Sequence, residues 1–227
     1  MTPPRPHPVR SIVSALVVLA LDAALLALGL GDAALLVRDP RALALLAVWG
    51  AAGITLALLR PVRGQDVASA SPDPPVMVAL FVLPMAAAPL GAFGARQALV
   101  TLPWANTVSW CGIVLVAAGL ALRIAAMARL GRRFSPLVAL QKGHTLETGG
   151  PYAFVRHPGY LGALLACLGA AIALGSGLAL PLPALMLLAQ LARVRREERM
   201  LAVRFSDEWT RYARRTGALL PRLVRRG

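Results

Sequence analysis

Ser11-Ile-Val-Ser-Ala-Leu-Val-Val-Leu-Ala-Leu-Asp22-Ala-Ala-Leu-Leu-Ala-Leu-Gly-Leu-Gly-Asp32-Ala-Ala-Leu-Leu-Val37 carries only two ionisable residues. Such a run has no polar face to turn to water, and it exceeds the roughly 20 apolar residues a helix needs to cross about 30 Å of hydrocarbon. It is too long for the apolar region of a secretory signal, and comparable runs follow it. Working outward, similar stretches recur at Ala42–Leu59, Val76–Phe93, Ala105–Leu122, Leu161–Leu180 and about Leu178–Ala192. Gly175, Gly177, Pro181 and Pro183 interrupt the last two and favour a hairpin of shortened helices. The expectation is an all-α, polytopic membrane helix bundle of about six spans, with five as the fallback.

Composition supports this. Of the 227 residues 58% are hydrophobic and 15% charged, against about 45–50% and about 25% for soluble domains. The net charge of +14 would suit nucleic acid, but the cations are placed as topology signals. With the N-terminus cytoplasmic, 21 of the 24 Lys and Arg residues fall on inside segments, and only Arg38, Arg41 and Arg96 fall outside. Membrane lipids are the expected partners, with no nucleic acid, and both termini face the cytoplasm. The Ala-, Leu- and Arg-rich usage, with a single lysine at Lys142, points to a GC-rich bacterial genome and an inner membrane.

The chain divides into an N-terminal tail (1–10), N-terminal transmembrane helices (11–122), a region with two membrane helices that gathers the polar residues (123–221) and a basic tail (222–227). Cys111 and Cys167 fall within spans and read as packed thiols. With histidines only at His7, His144 and His157, no zinc spacing exists and no metal is expected. Asp22 lies at bilayer depth, where an ionisable side chain is a functional candidate by default, but with no basic partner in a neighbouring span it reads rather as a neutral or packing carboxyl.

The chemistry lies after Arg123. Its first segment includes Gly143-His144-Thr-Leu-Glu-Thr-Gly-Gly-Pro-Tyr152-Ala-Phe-Val-Arg156-His157-Pro-Gly-Tyr160-Leu-Gly162. Gly149, Gly150 and Pro151 force a turn, Pro158 suits the first turn of a helix, and His157 and Tyr160 share one face at its mouth. A helix N-terminus beside an imidazole, two phenols and Arg156 suits a ligand with a carboxylate and a flat base. The second segment is Arg193-Val-Arg-Arg-Glu197-Glu198-Arg-Met-Leu201-Ala-Val-Arg-Phe205-Ser-Asp-Glu-Trp209-Thr-Arg-Tyr212. Leu201, Phe205, Trp209 and Tyr212 form an apolar stripe that lies on the membrane or the protein body. Arg193 and Glu197, four residues apart, form either a solvated surface ion pair or a binding pair where the last span leaves the membrane. Spacing alone leaves both open.

Taken together, the two segments resemble the isoprenylcysteine carboxyl methyltransferase family and, more broadly, membrane methyltransferases that include the phospholipid N-methyltransferases. The resemblance covers roughly Leu120 to Pro221. It implies a helical membrane enzyme that uses S-adenosylmethionine in a cytoplasm-facing pocket closed by the C-terminal segment. Carried over position by position, it implies cofactor contacts from Gln141, His144, Thr145, Leu146, Tyr152, His157, Pro158, Gly159, Tyr160 and Glu197. Arg193 matches the arginine that orients the substrate carboxylate and so stands as the catalytic and substrate-binding residue, with Arg156 and Glu198 as further candidates. Glu147 departs from the family's branched apolar residue, and Gly159 from its usual Ser, Met or Asn.

The expected acceptor is a lipid-like carboxylate of isoprenoid or prenylcysteine type, since no dedicated base is evident; for an amine acceptor, Glu198 or His157 would serve. Two other readings share some features. Membrane sterol or steroid reductases carry a similar Arg-His-Pro-x-Tyr with NADPH but lack the Arg-x-x-x-Glu-Glu helix, and a non-enzymatic lipid-binding protein would not need polar residues clustered at one membrane face.

Overall fold

The computed structural model describes residues 8–59, 74–131 and 145–222. Its helices are α1 (Pro8–Leu30), α2 (Leu35–Arg38), α3 (Pro40–Leu59), α4 (Pro74–Arg96), α5 (Ala105–Leu130), α6 (Pro158–Ile172) and α7 (Pro181–Arg215). A 3₁₀ turn, Gly150–Ala153, precedes α6. Among the described residues the only strand-like pairings noted outside the helices are two isolated bridges, Thr101 with Ser176 and Val155 with Gly217.

Each expected apolar stretch contributes a helix. Four of them, α1, α3, α4 and α5, are long and apolar enough to cross a membrane. The fifth, α6, is shorter, and the sixth is only the apolar opening, Pro181–Ala192, of the 35-residue α7. With 15 residues, α6 rises about 22 Å, less than the hydrocarbon thickness of about 30 Å. The expected fifth span ends at Ile172 and the sixth begins at Pro181, because the Gly/Pro cluster is spent on the turn between them. Gly175 takes a φ of +87° there, which a residue without Cβ adopts at little cost. The turn is tied to the loop before α5, with the Ser176 hydroxyl donating to the Leu99 carbonyl at 2.8 Å and the Gly177 amide to the Val100 carbonyl at 2.8 Å.

The core is built from small side chains, with Ala42, Ala87, Ala88, Ala92, Ala170 and Ala171 nearly or wholly buried. Lipid offers no hydrophobic drive for helices to associate, so close backbone approach and dispersion must supply it. Two such approaches join α5 and α6. A Cβ added at Gly119 would lie 2.5 Å from the Gly162 carbonyl oxygen, and one at Gly162 would lie 2.4 Å from that of Gly119. Seven residues away in each helix, Gly112 and Gly169 meet the same way, at 2.7 and 2.4 Å. The two pairs run in opposite sequence directions, so the helices are antiparallel and locked in register by backbone.

Another flank of α5 lines a groove of about 510 Å³, with Asn106, Trp110, Cys111, Val114, Leu115 and Ala118 along it. Both cysteines are free thiols: Cys167 is buried as expected, whereas Cys111 is exposed because it lies on this groove rather than on the α6 contact.

The C-terminal stripe also differs from expectation. Ser206 interrupts α7 at φ 42° and ψ −109°, so Leu201 and Phe205 do not continue as one stripe into Trp209 and Tyr212. Trp209 and Tyr212 are buried. The segment after the break therefore packs on the protein body, and the strained residue redirects the chain there.

Candidate functional site

The site is assembled at the mouth of α6. Pro158 occupies the first turn, where its missing N–H costs nothing, and it is fully buried. The residues before it are laced to the C-terminal segment. The Arg156 amide donates to the Gly217 carbonyl at 2.8 Å and the His157 amide to that of Ala218 at 3.0 Å. The Tyr212 hydroxyl donates to the Tyr152 carbonyl at 2.7 Å; burial pushes the Tyr212 phenol up to about 12, so it stays a donor. Tyr152 is itself buried, its hydroxyl reaching the Ala126 carbonyl at 3.4 Å.

From this platform the α6 mouth meets the two adjacent glutamates of α7, which diverge by about 100° on a helix and so take separate partners. Glu198 accepts from Arg156 Nε at 2.8 Å and lies 3.1 Å from His157 Nε2. Burial alone would raise its carboxyl, but the hydrogen bonds and charges of His157 and Arg156 outweigh that and hold it at about 2. Arg156 also donates to the Ala213 carbonyl at 3.1 Å and to that of Thr216. Its guanidinium carbon lies 5.7 Å from the Trp209 ring centroid, within cation–π reach. Arg156 and Glu198 therefore hold the mouth of α6 and the C-terminal segment together.

Glu197 points elsewhere. Its Oε2 accepts from the Tyr160 hydroxyl at 3.0 Å, and that hydroxyl in turn accepts from Arg193 Nε. Arg193 is only 8% exposed, which removes the solvated ion-pair reading, since its guanidinium does not stand in water. Its carbon lies 5.9 Å from the Tyr160 ring centroid. His157 is buried too, its ring 5.6 Å from that of Tyr160.

Among the expected site residues, the structure brings His157, Tyr160, Arg193 and Glu197 together, with Arg156 and Glu198 beside them. The Gly159 carbonyl accepts from Arg123 Nη1 at 3.1 Å, and a Cβ at Gly159 would meet only Ala126, at 3.9 Å. Thr145 and Leu146 open the described loop, just before Glu147. Gln141 and His144 lie outside the described residues. Glu147 ties this loop to the end of α5, accepting from Arg129 Nε at 3.1 Å and from the Gly149 amide at 3.0 Å. That is work a branched apolar residue could not do.

Two residues were missed from the sequence. Arg123, on α5, holds the first turn of α6 and lies within Coulombic range of Tyr160 and Arg193. Gln190 is fully buried, its Nε2 donating to the Tyr160 carbonyl at 3.1 Å while its Oε1 has no hydrogen-bond partner among the described residues. A lone amide in an otherwise apolar stretch, Pro181–Ala192, was the available signal. Among the described residues, no group of three or more His, Cys, Asp and Glu side chains is placed to hold a metal.

Residues 111–203 match the isoprenylcysteine carboxyl methyltransferase (ICMT) family model. The chain is similar to the protein-S-isoprenylcysteine O-methyltransferase of Schizosaccharomyces pombe, 36% identical over 44% of each chain. It is also similar to the cobalt-zinc-cadmium resistance protein CzcN of Cupriavidus metallidurans, 37% identical over 43% of this chain and 45% of that one. A probable protein-S-isoprenylcysteine O-methyltransferase of Oryza sativa is 32% identical over 50% of this chain and 61% of its own. The chain thus spans about half the length of the curated relatives it matches. The solved structure of the eukaryotic intramembrane Ras methyltransferase ICMT shares the fold, with a TM-score of 0.53 and 23% identity over 89% of this chain and 74% of that one.

Proposed function

We propose, from the match of residues 111–203 to the ICMT family, that the chain is an integral-membrane S-adenosylmethionine-dependent methyltransferase acting on a lipid-borne carboxylate of isoprenoid or prenylcysteine type. The observation that carries this reading is the convergence of a carboxylate, Glu197, and a guanidinium, Arg193, on one phenol at the mouth of a helix. A half-buried carboxylate suits the ammonium or ribose hydroxyls of the cofactor, and a guanidinium suits the acceptor carboxylate, which it can grip by two hydrogen bonds.

The residues present fit such a cofactor. Besides Glu197, the site offers the aromatic faces of Tyr160 and His157, and the Gln190 Oε1 acceptor is buried without a partner among the described residues. His157, Pro158, Gly159, Tyr160 and Glu197 would form its binding surface, with Gln141, His144, Thr145, Leu146 and Tyr152 completing it. S-adenosylmethionine, when bound, supplies a methyl group already activated by its sulfonium. The protein's part is to orient the acceptor and exclude water, Arg193 holding the carboxylate so that its oxygen approaches to about 3–3.5 Å. Glu198, occupied by Arg156 and His157 and held at about 2, is a poor proton acceptor. That favours an acceptor with no proton to lose, a carboxylate over an amine.

The catalytic region is assigned to 123–221, following N-terminal spans at 11–122. Both termini and the site face the cytoplasm of a bacterial inner membrane, with the acceptor's tail in the bilayer. The test is incubation of the purified chain with labelled S-adenosylmethionine and a membrane lipid extract. Label recovered in a lipid methyl ester supports the reading; label in a methylated amine, or none with cofactor binding absent, removes it.

A further inference from the structure

We infer that Tyr160 is the positioning residue that joins the acceptor side of the site to the cofactor side, its hydroxyl fixing Arg193 and Glu197 together rather than contacting the cofactor itself. This rests on the reading that Glu197 meets the cofactor and Arg193 the acceptor. A phenol has one proton to give, and a guanidinium can only donate. Because Arg193 Nε donates to the Tyr160 oxygen, the single phenolic proton is directed to Glu197 Oε2. The order Arg193 to Tyr160 to Glu197 is thus set by donor and acceptor inventory, and each bond polarises the next.

The phenol is well held for this. The backbone of Tyr160 is gripped at both ends, its amide donating to the His157 carbonyl at 3.1 Å and its own carbonyl accepting from Gln190 Nε2 at 3.1 Å. Arg193 and Glu197 are one turn apart on α7, while Tyr160 comes from α6. Tyr160 therefore couples two side chains whose roles differ, and it ties their orientation to the register of α6 on α7. A tyrosine that merely lined the cofactor pocket would influence Glu197's ligand without any dependence on Arg193.

The experiment is calorimetry of S-adenosylmethionine binding to the full chain in lipid nanodiscs, as the unmodified protein, Tyr160→Phe, Arg193→Met and the double variant. Loss of a hydrogen bond to a charged group predicts roughly tenfold weaker binding for Tyr160→Phe. Arg193→Met, which releases the hydroxyl to rotate, should weaken binding by a smaller factor. The double variant should bind no more weakly than Tyr160→Phe alone, because both changes act through the same line of hydrogen bonds. Effects that multiply, or a Tyr160→Phe chain with unchanged affinity, overturn the inference. Should Tyr160→Phe fail to fold, Arg193→Met alone carries the test: it must weaken S-adenosylmethionine binding although Arg193 faces the acceptor, and unchanged affinity overturns the inference. Absence of binding by the unmodified chain would instead remove the methyltransferase reading, so the two failures are distinct.

Discussion

Arg156 and Glu198, 42 residues apart in sequence, form the ion pair that fastens the mouth of α6 to α7, with 2.8 Å between Nε and Oε1. Both are largely shielded, with side-chain exposures of 10% and 26%, so the pair escapes most of the screening that makes surface ion pairs worth little. It stands one residue from Glu197 and yet serves a different end.

The first prediction separates the two glutamates. Glu198→Gln should lower stability by about 1–3 kcal/mol at neutral pH while leaving cofactor affinity within a few-fold. Glu197→Gln should do the reverse. Thermal unfolding and calorimetry on both variants decide it, and a Glu198→Gln chain of full stability would refute the fastening role.

The second concerns acid. Glu198's folded carboxyl is depressed from 4.5 to about 2, so its contribution to stability is complete above about 4.5 and is lost as pH falls toward 2. Unfolding temperature measured from pH 6 to 2 should fall more steeply for the unmodified chain than for Glu198→Gln across that window.

The third tests the backbone contact of α5 with α6. A Cβ at Gly162 would meet the Gly119 carbonyl oxygen at 2.4 Å, whereas one at Gly159 would meet Ala126 at 3.9 Å. Gly162→Ala should destabilise by about 1–3 kcal/mol or force the helices apart, while Gly159→Ala should melt near the unmodified chain. Equal melting temperatures for the two variants would contradict the packing.

The fourth addresses Arg193. Arg193→Lys keeps the charge but not the planar fork, so turnover on a carboxylate acceptor should fall by at least about tenfold. Cofactor affinity should change far less. Steady-state kinetics with the lipid acceptor identified by labelling give the comparison.

The fifth addresses Trp209, which is 7% exposed and lies under the Arg156 guanidinium. Trp209→Ala should cost about 3–5 kcal/mol and increase hydrogen exchange at the Arg156 and His157 amides, whose acceptors are carbonyls of the same C-terminal segment. Trp209→Phe should retain much of the protection.

Much of this arrangement could be read from the chain itself. The apolar runs declare helices because their length and lack of charge admit little else, and Pro158 marks the start of α6 because a first-turn proline lacks only an N–H that would have no partner in the helix. His157 with Tyr160, and Arg193 with Glu197, follow from helical spacing. What could not be read depends on partners distant in sequence. Gly112, Gly119, Gly162 and Gly169 show their seven-residue spacing openly, but which glycine faces which is settled only when two helices meet. Arg123 and Gln190 look like isolated polar residues until the first turn of α6 supplies the Gly159 and Tyr160 carbonyls they hold. Ser206 sits in a stretch with good helical periodicity, and its break arises because burying Trp209 and Tyr212 requires the chain to turn.

The glycine contacts between α5 and α6 separate what can vary from what cannot. The register of α6 on α5 is set where glycines bring main-chain atoms together, at Gly119 with Gly162 and at Gly112 with Gly169. Trp110, Val114 and Leu115 on the grooved flank of α5 stand apart from the glycine contacts, so a change in their size should leave the register of α6 on α5 where it is. A lineage built on this scaffold could reshape one helix flank through successive single substitutions without resetting how its two central helices meet.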